Sequence, residues 1–331
     1  MGRYFVTGAT GFLGGELTKQ LISRGHQVAA LVRDPSRAGI LRTLGVELHE
    51  GDITDPESLR RPMTGADGIY HCAGWYKVGV PGPDAERINV DGTRHVLEMM
   101  RELGIAKGVY TSTVAVFSDT RGAMPDERYR YDGPHLSEYD RTKWLAHYEV
   151  ARPMMSRGLP LAIVQPGVIY GPGDTSGIHT ALVDLLRKRL PFTPRRTAFC
   201  WAHVEDTARG HILAMERGQP GETYIIAGPR HTFEEAFDLA ATLAKVPRPL
   251  LHPGPRTMKA TAALMGIVQK MASLPPALTP EALRVVAGTT YLGSNEKAVR
   301  ELGFSARPLR EGMDQTLEHE LRALARLKPP R

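Results

Sequence analysis

The stretch TGATGFLG, residues 7 to 14, constrains the fold of this chain more than any other. Three glycines, Gly8, Gly11 and Gly14, separate a β-rich run, RYFV, from a segment whose Leu13, Leu17, Leu21 and Ile22 share one helical face. A strand, a glycine turn and a helix at the head of a βαβ unit bring backbone N–H groups to a helix N-terminus, where the macrodipole favours negative charge. Glycine permits the tight turn and lets the backbone approach a pyrophosphate. The reading is a dinucleotide-binding turn, with Gly8, Thr10, Gly11, Phe12, Leu13 and Gly14 as candidate contacts.

Beyond that unit the same alternation continues. QVAALV, GVELHEGD, GIYHCAG, KGVYTSTV and PLAIVQPG read as strands separated by amphipathic helical runs. The fold class is therefore α/β, a Rossmann-type doubly wound parallel sheet. After VIYGPGD the alternation breaks down, and a smaller, mostly helical C-terminal lobe is expected to bind substrate. The expected division gives residues 1–170 to the nucleotide-binding domain, with 198–228 returning to it, and residues 171–197 and 229–331 to the lobe. A helix opening at Thr232 carries a capping box with Glu235.

The end of the second strand selects the dinucleotide, because an acid there bonds the ribose hydroxyls and a base accepts a 2′-phosphate. The sequence is LVRDPSR; Arg33, with Arg37 nearby, favours NADP, while Asp34 keeps NAD open. Asp52 and Ile53 end the third strand and are candidates to hold the adenine; Ala73 and Gly74 end the fourth and fall near the cofactor.

Tyr139 and Lys143, in SEYDRTKW, share a helix face four residues apart. A phenol titrates near about 10, so a neighbouring cation would favour its phenolate. No other tyrosine in the chain has a lysine four residues on. The strand before it, VYTSTVAVF, ends in Thr111, Ser112 and Thr113, hydroxyls able to stabilise a developing alkoxide.

Composition sets bounds on partners. The net charge of +6 comes with basic residues scattered among acids, so no nucleic-acid partner is expected. Cys72 and Cys200 have no metal-ligand spacing and read as buried thiols of a reducing compartment. No run reaches the roughly 18 apolar residues of a membrane span, and no basic-then-apolar leader opens the chain, so a cytoplasmic location is expected.

In order, TGATGFLG, GDITD, HCAG, NVDGT, YTSTVAVF, YDRTK, PGVIYGPGD and HVEDTARGHILAM make the chain resemble the extended short-chain dehydrogenase/reductases of the NAD-dependent epimerase/dehydratase type. Within that family it resembles the dihydroflavonol reductase-like and hopanoid-associated sugar epimerase-like groups. The resemblance implies that Tyr139 is the general acid/base and that Lys143 lowers its pKa and holds the nicotinamide ribose. It implies that Thr113, or Ser112 beside it, orients the substrate oxygen, where the family usually has serine. Asn89 matches an asparagine supporting the cofactor-side loop, and Pro166 and Val168 match the lining of the nicotinamide pocket. Trp75, Tyr76 and Phe117 are candidates to face the substrate. A homodimer is also implied. Two activities follow from the resemblance: NADPH-dependent reduction of a ketone or aldehyde, or nucleotide-sugar epimerisation with tightly held NAD. Gln165, Pro166 and Gly167 stand where such epimerases carry a sugar-nucleotide-binding asparagine, which favours the reductase. A non-catalytic dinucleotide sensor is the third reading, disfavoured because Tyr139 and Lys143 are both kept.

Overall fold

The computed structural model describes residues 1–79, 82 and 84–326, without the side chains of Arg37 and Pro276. The chain begins β1 (Arg3–Thr7), α1 (Phe12–Ser23), β2 (Gln27–Val32), α2 (Gly39–Thr43), β3 (Glu47–Glu50), α3 (Glu57–Met63) and β4 (Gly68–His71). It continues through α4 (Gly92–Glu102), β5 (Gly108–Thr111), α5 (Glu138–Leu145), α6 (Arg152–Ser156), β6 (Leu161–Pro166) and β7 (Val168–Tyr170). Next come α7 (Gly177–Leu186), β8 (Ala198–His203), α8 (Val204–Arg217), β9 (Thr223–Ile226), β10 (Arg230–Thr232) and α9 (Phe233–Ala244). The last elements are α10 (Pro255–Val268), α11 (Pro280–Val285), β11 (Thr290–Tyr291), α12 (Glu296–Leu302) and α13 (Leu309–Arg326).

Seven strands form one parallel sheet in the order β3-β2-β1-β4-β5-β6-β9. The order reverses between β1 and β4, and such a switch point opens a crevice beyond the strands' carboxyl ends. On one face Leu13, Leu17 and Leu21 of α1 pack with Ala208, Ile212 and Met215 of α8. On the other, Val96, Leu97 and Met100 of α4 meet Ile69, Tyr110 and Ile163. With both faces covered, β6 is buried along its length, which is why LAIVQP lacks the polar alternation of a half-exposed strand.

A second, four-stranded sheet joins β8 to β10, β11 and β7. Of residues 198–228, α8 and β9 lie against or within the large sheet, whereas β8 pairs only in the small one. The lobe's core is aromatic: Phe199 stacks on Tyr291, and Phe233 on Phe237. The capping box at Thr232 and Glu235 is present.

Two stretches wind as wider π-turns, Arg87–Asp91 leading into α4 and Ala146–Ala151 following α5. Such turns are often found at functional sites, and both lie beside the one described next.

Candidate active site

The glycine turn closes on the switch point by backbone contact alone. A Cβ on Gly14 would lie 2.2 Å from the Gly8 carbonyl oxygen, and one on Gly8, at φ 75°, would lie 2.7 Å from the Ala73 nitrogen at the end of β4. No side chain caps α1, whose N-cap is Gly11, and no acid sits in its first turn. The first helical bond runs from Gly15 N–H to the Gly11 carbonyl. The N–H groups of Phe12, Leu13 and Gly14 are therefore the orphan donors that an anion can satisfy. These residues fit a dinucleotide pyrophosphate.

Around the turn, Arg33 is exposed and bonds none of the described residues, while the Asp34 carboxylate accepts from Ser36 N–H at 2.9 Å. The Arg37 side chain lies outside the described residues. Asp52 is half-buried and accepts from both N–H and hydroxyl of Thr54 at 2.9 Å. Ile53 is buried with its side chain over Gly92, so much of its surface serves packing against α4. Ala73 N–H donates to Thr7 Oγ1, which holds the end of β4 against β1.

Asn89 is a knot between loops. Its Oδ1 accepts from Trp75 N–H at 2.7 Å, and its Nδ2 donates to the Trp75 carbonyl and to Thr142 Oγ1 at 3.1 and 2.9 Å. It thereby fixes the segment after β4 to the helix that carries Tyr139 and Lys143. Its structural place is that of a positioning residue.

Ser137 caps α5 by accepting from Asp140 N–H, which places Tyr139 in the first turn and Lys143 one turn later. The Tyr139 ring meets the half-exposed Tyr76 edge-on at 4.8 Å, and the Thr113 hydroxyl is near enough to act on its phenol. Burial raises the Tyr139 pKa well above the usual phenol value; Tyr76 adds to this and the Thr113 hydroxyl opposes it. Tyr139 is thus a protonated phenol at neutral pH, set to donate.

Lys143 is buried and donates to the Thr111 carbonyl at 2.7 Å and to Tyr110 Oη at 3.2 Å, with its ammonium 4.7 Å over the Tyr110 ring. Burial brings its pKa down to about 7. Lys143 shares the α5 face of Tyr139 one turn on, and its hydrogen bonds go to β5 rather than to that phenol. Its ammonium is directed at the end of β5.

Ser112 and Thr113 separate cleanly. Both follow β5, Thr113 in extended backbone at φ −167° and ψ 154°, and Ser112 turns inward to bond His147 Nδ1 at 2.8 Å. Burial holds His147 neutral, at about 3. Thr113 faces Tyr139 and also accepts from Ala115 N–H at 3.1 Å, which pins its rotamer. The hydroxyl beside the phenol is therefore Thr113, not Ser112.

Two of the aromatic candidates pack elsewhere. Phe117 is fully buried, edge-on to Tyr129, because the 3-10 turn Val114–Phe117 capped by Thr113 directs it into the lobe core. Trp75 is buried against Gly82, leaving Tyr76 as the aromatic side chain next to the phenol. Pro166 and Val168 flank Gly167, where a Cβ would meet the Cys200 carbonyl at 2.1 Å; here the chain leaves the large sheet for the small one.

One pair had no local sequence signal. Tyr291 Oη donates to Asp140 Oδ2 at 2.9 Å, a buried bond joining β11 of the lobe to the residue after Tyr139. Burial raises the Asp140 pKa to about 7 despite bonds from Ser137 and Tyr291.

Residues 4–227 match the family described as NAD dependent epimerase/dehydratase. The chain belongs to that family. It is an enzyme of the extended short-chain dehydrogenase/reductase type. It is 31% identical to sterol demethylase protein B of Methylococcus capsulatus, over 90% of this chain and 92% of that protein. It is also 31% identical to a putative dihydroflavonol 4-reductase of Synechocystis, over 94% of this chain and 92% of that protein. The crystal structure of gox2253 superposes with a TM-score of 0.86 at 30% identity, covering 99% of this chain and 100% of that one.

Proposed function

We propose that this family member reduces a ketone or aldehyde to an alcohol with NADPH, Tyr139 donating the proton. The observation that carries this reading is the placement of Tyr139 in the first turn of α5, edge-on to Tyr76 and one turn before Lys143, with Thr113 just past the end of β5, since carbonyl reduction consumes a proton that a protonated phenol there can supply. The name of the Synechocystis relative, a reductase, agrees with it.

The dinucleotide supplies the hydride. The first-turn N–H groups of α1 bind the pyrophosphate, and Arg33 accepts a 2′-phosphate, with Asp34 engaged by Ser36. Thr113 orients the substrate oxygen, and the Tyr139 hydroxyl transfers its proton there as the carbonyl carbon gains hydride. Tyr76 forms an aromatic wall beside the phenol. Lys143 holds the nicotinamide ribose hydroxyls, and its pKa of about 7 lets it exchange the proton that Tyr139 must recover.

Tyr139→Phe is expected to lower turnover at least about a hundredfold, the scale of general acid catalysis, with NADPH affinity nearly unchanged. Near-normal turnover would sink the assignment. Progressive loss of the reduced-nicotinamide absorbance on a carbonyl panel fits a reductase. Turnover of a nucleotide sugar without net absorbance change would instead establish the epimerase. Equal affinity for NADH and NADPH at low salt would overturn the role given to Arg33.

A further inference from the structure

The reading that basic residues are scattered among acids holds for most of the chain but not for two segments. Residues 185–204 and 239–280 together carry ten of the 42 Lys and Arg and none of the 36 Asp and Glu. The ten are Arg187, Lys188, Arg189, Arg195 and Arg196 in the first segment, and Lys245, Arg248, Arg256, Lys259 and Lys270 in the second. The rest of the chain is slightly acidic, so these two segments account for the whole positive excess.

The fold sets the segments side by side. Phe192 bridges to Leu251, Thr193 N–H donates to the Leu251 carbonyl at 3.0 Å, and Arg195 N–H donates to the Pro253 carbonyl at 3.0 Å. Arg187, Lys188, Arg189, Arg195 and Arg196 are all exposed, and none forms an ion pair with a described residue. In the second segment Arg248 meets the carboxylate of Asp238 at the segment's border, and His252 lies 3.6 Å from that of Glu234.

The same place is apolar on its outer surface. Helix α10 buries Met258 and Ala262 against Leu283 and Ala287. On its opposite side Ala260, Leu264, Ile267 and, just past its end, Met271 recur at helical spacing. Ile267 is 61% exposed and Met271 84%. Leu250 and Leu251, beside the basic loop, are 90% and 64% exposed. Arg256, Lys259 and Lys270 border the stripe. A helix apolar on both sides, flanked by cations in segments that carry no acid of their own, has one face for the core and one for another apolar phase.

We propose that this face of the lobe docks on the surface of an anionic phospholipid bilayer, with Leu264, Ile267 and Met271 entering the interface and the surrounding Lys and Arg meeting headgroups. Charge complementarity favours a bilayer over a second copy, which would bring two net-basic faces together. Exposed aliphatic side chains, without aromatics to stack on bases, favour it over nucleic acid. Among the described residues no helix is long and apolar enough to cross a membrane, so contact is with the surface. The helix on which it packs, α11, reaches toward the site: its Glu281 accepts from Gly79 N–H at 3.2 Å, three residues past Tyr76. The inference stands apart from the reductase reading, because its test measures binding.

The test is cosedimentation of the purified full chain with vesicles of phosphatidylcholine alone or mixed with phosphatidylglycerol, at low and high salt. Expected is binding to the phosphatidylglycerol vesicles that weakens with salt. The double variant Leu264→Glu and Ile267→Glu, whose side chains are exposed, should lower that binding at least about tenfold while keeping the wild-type melting temperature. Lys259→Glu with Lys270→Glu should also weaken it, by on the order of tenfold at low salt, since basic residues near an anionic surface are drawn to it. Equal partition onto neutral and anionic vesicles, or no loss in the Leu264/Ile267 variant, would overturn the proposal. So would a self-association that this variant abolishes, or duplex DNA binding that it retains.

Discussion

Helices α1 and α10 begin alike. Each has a glycine N-cap in extended backbone, Gly11 or Gly254, no capping side chain and no acid in its first turn. What surrounds them differs. Helix α1 starts at the switch point, where Gly14 touches the Gly8 carbonyl and Gly8 touches Ala73, so backbone lies against backbone. Helix α10 starts at the edge of the lobe, and its own Gly266 has only Pro280 Cγ near a hypothetical Cβ, at 3.7 Å. An uncapped helix N-terminus is thus not sufficient for a nucleotide site. The crowding that excludes every side chain but hydrogen makes α1 specific, and the openness of α10 leaves its surface to side-chain chemistry.

Substitution can break this contrast. Gly14→Ala drives a methyl into a backbone oxygen that cannot rotate away, at a cost of about 3 kcal/mol. If that cost falls on the turn, NADPH affinity measured by titration should drop on the order of a hundredfold. An affinity near wild type would show that the turn can give.

The next effect lies at the end of β5. Thr113→Val should reduce turnover by roughly tenfold to a hundredfold with little change in melting temperature, because a hydroxyl aimed at developing charge is lost. Ser112→Ala should instead leave turnover nearly intact and lower stability by about 1 kcal/mol, the worth of its bond to His147. The reverse pattern in steady-state kinetics would exchange the two roles.

Asp140 gives a pH-dependent effect. The native carboxyl keeps its proton up to about 7, whereas the unfolded one releases it near its ordinary value of about 3.9. The native state binds more protons in that window, so this group's contribution to stability falls as pH rises through it. Asp140→Asn, which keeps a partner for the Tyr291 hydroxyl, should gain on wild type by on the order of 3 kcal/mol from about pH 4 to about pH 8. Denaturant titrations of the pair isolate this group, since neutral buried histidines such as His71 and His211 change stability in the opposite sense and are common to both. A constant gap would show that Asp140 is ionised in the native protein.

The smallest effect returns to α10. Gly266→Ala should stabilise the helix by about 0.5–1 kcal/mol, since its Cβ would meet only ordinary contact. A loss of melting temperature would mean that this helix is more crowded than α1's counterpart suggests.

Much of this architecture was legible locally. The strands from RYFV to LAIVQP and the Thr232 cap lie where periodicity and turn residues put them, because a doubly covered parallel sheet writes continuous apolar runs into sequence. TAFCWAHV reads equally as a strand of either sheet, since choice of partner is non-local; it pairs with Val168–Tyr170 and Arg230–Thr232. At the site, spacing along one helix singled out Tyr139 and Lys143. It could not separate Ser112 from Thr113, where the backbone just past β5 decides, nor place Phe117, which a 3-10 turn directs inward. The Asp140–Tyr291 bond spans 151 residues and leaves no mark on either neighbourhood.

The π-turns at Arg87–Asp91 and Ala146–Ala151 carry a consequence for chain length. Each is equivalent to one residue inserted into an α-helix, and Asn89 sits in the first and His147 in the second. Removing that residue would restore the tighter winding and rotate one flank against the other by about 100°. Asn89 could not then reach both Trp75 and Thr142, nor His147 meet Ser112 while α5 held its station. Indels at these two points should therefore be tolerated far less than in the irregular stretch between Phe117 and Ser137, so the protein's permissible lengths are set by helices rather than by loops.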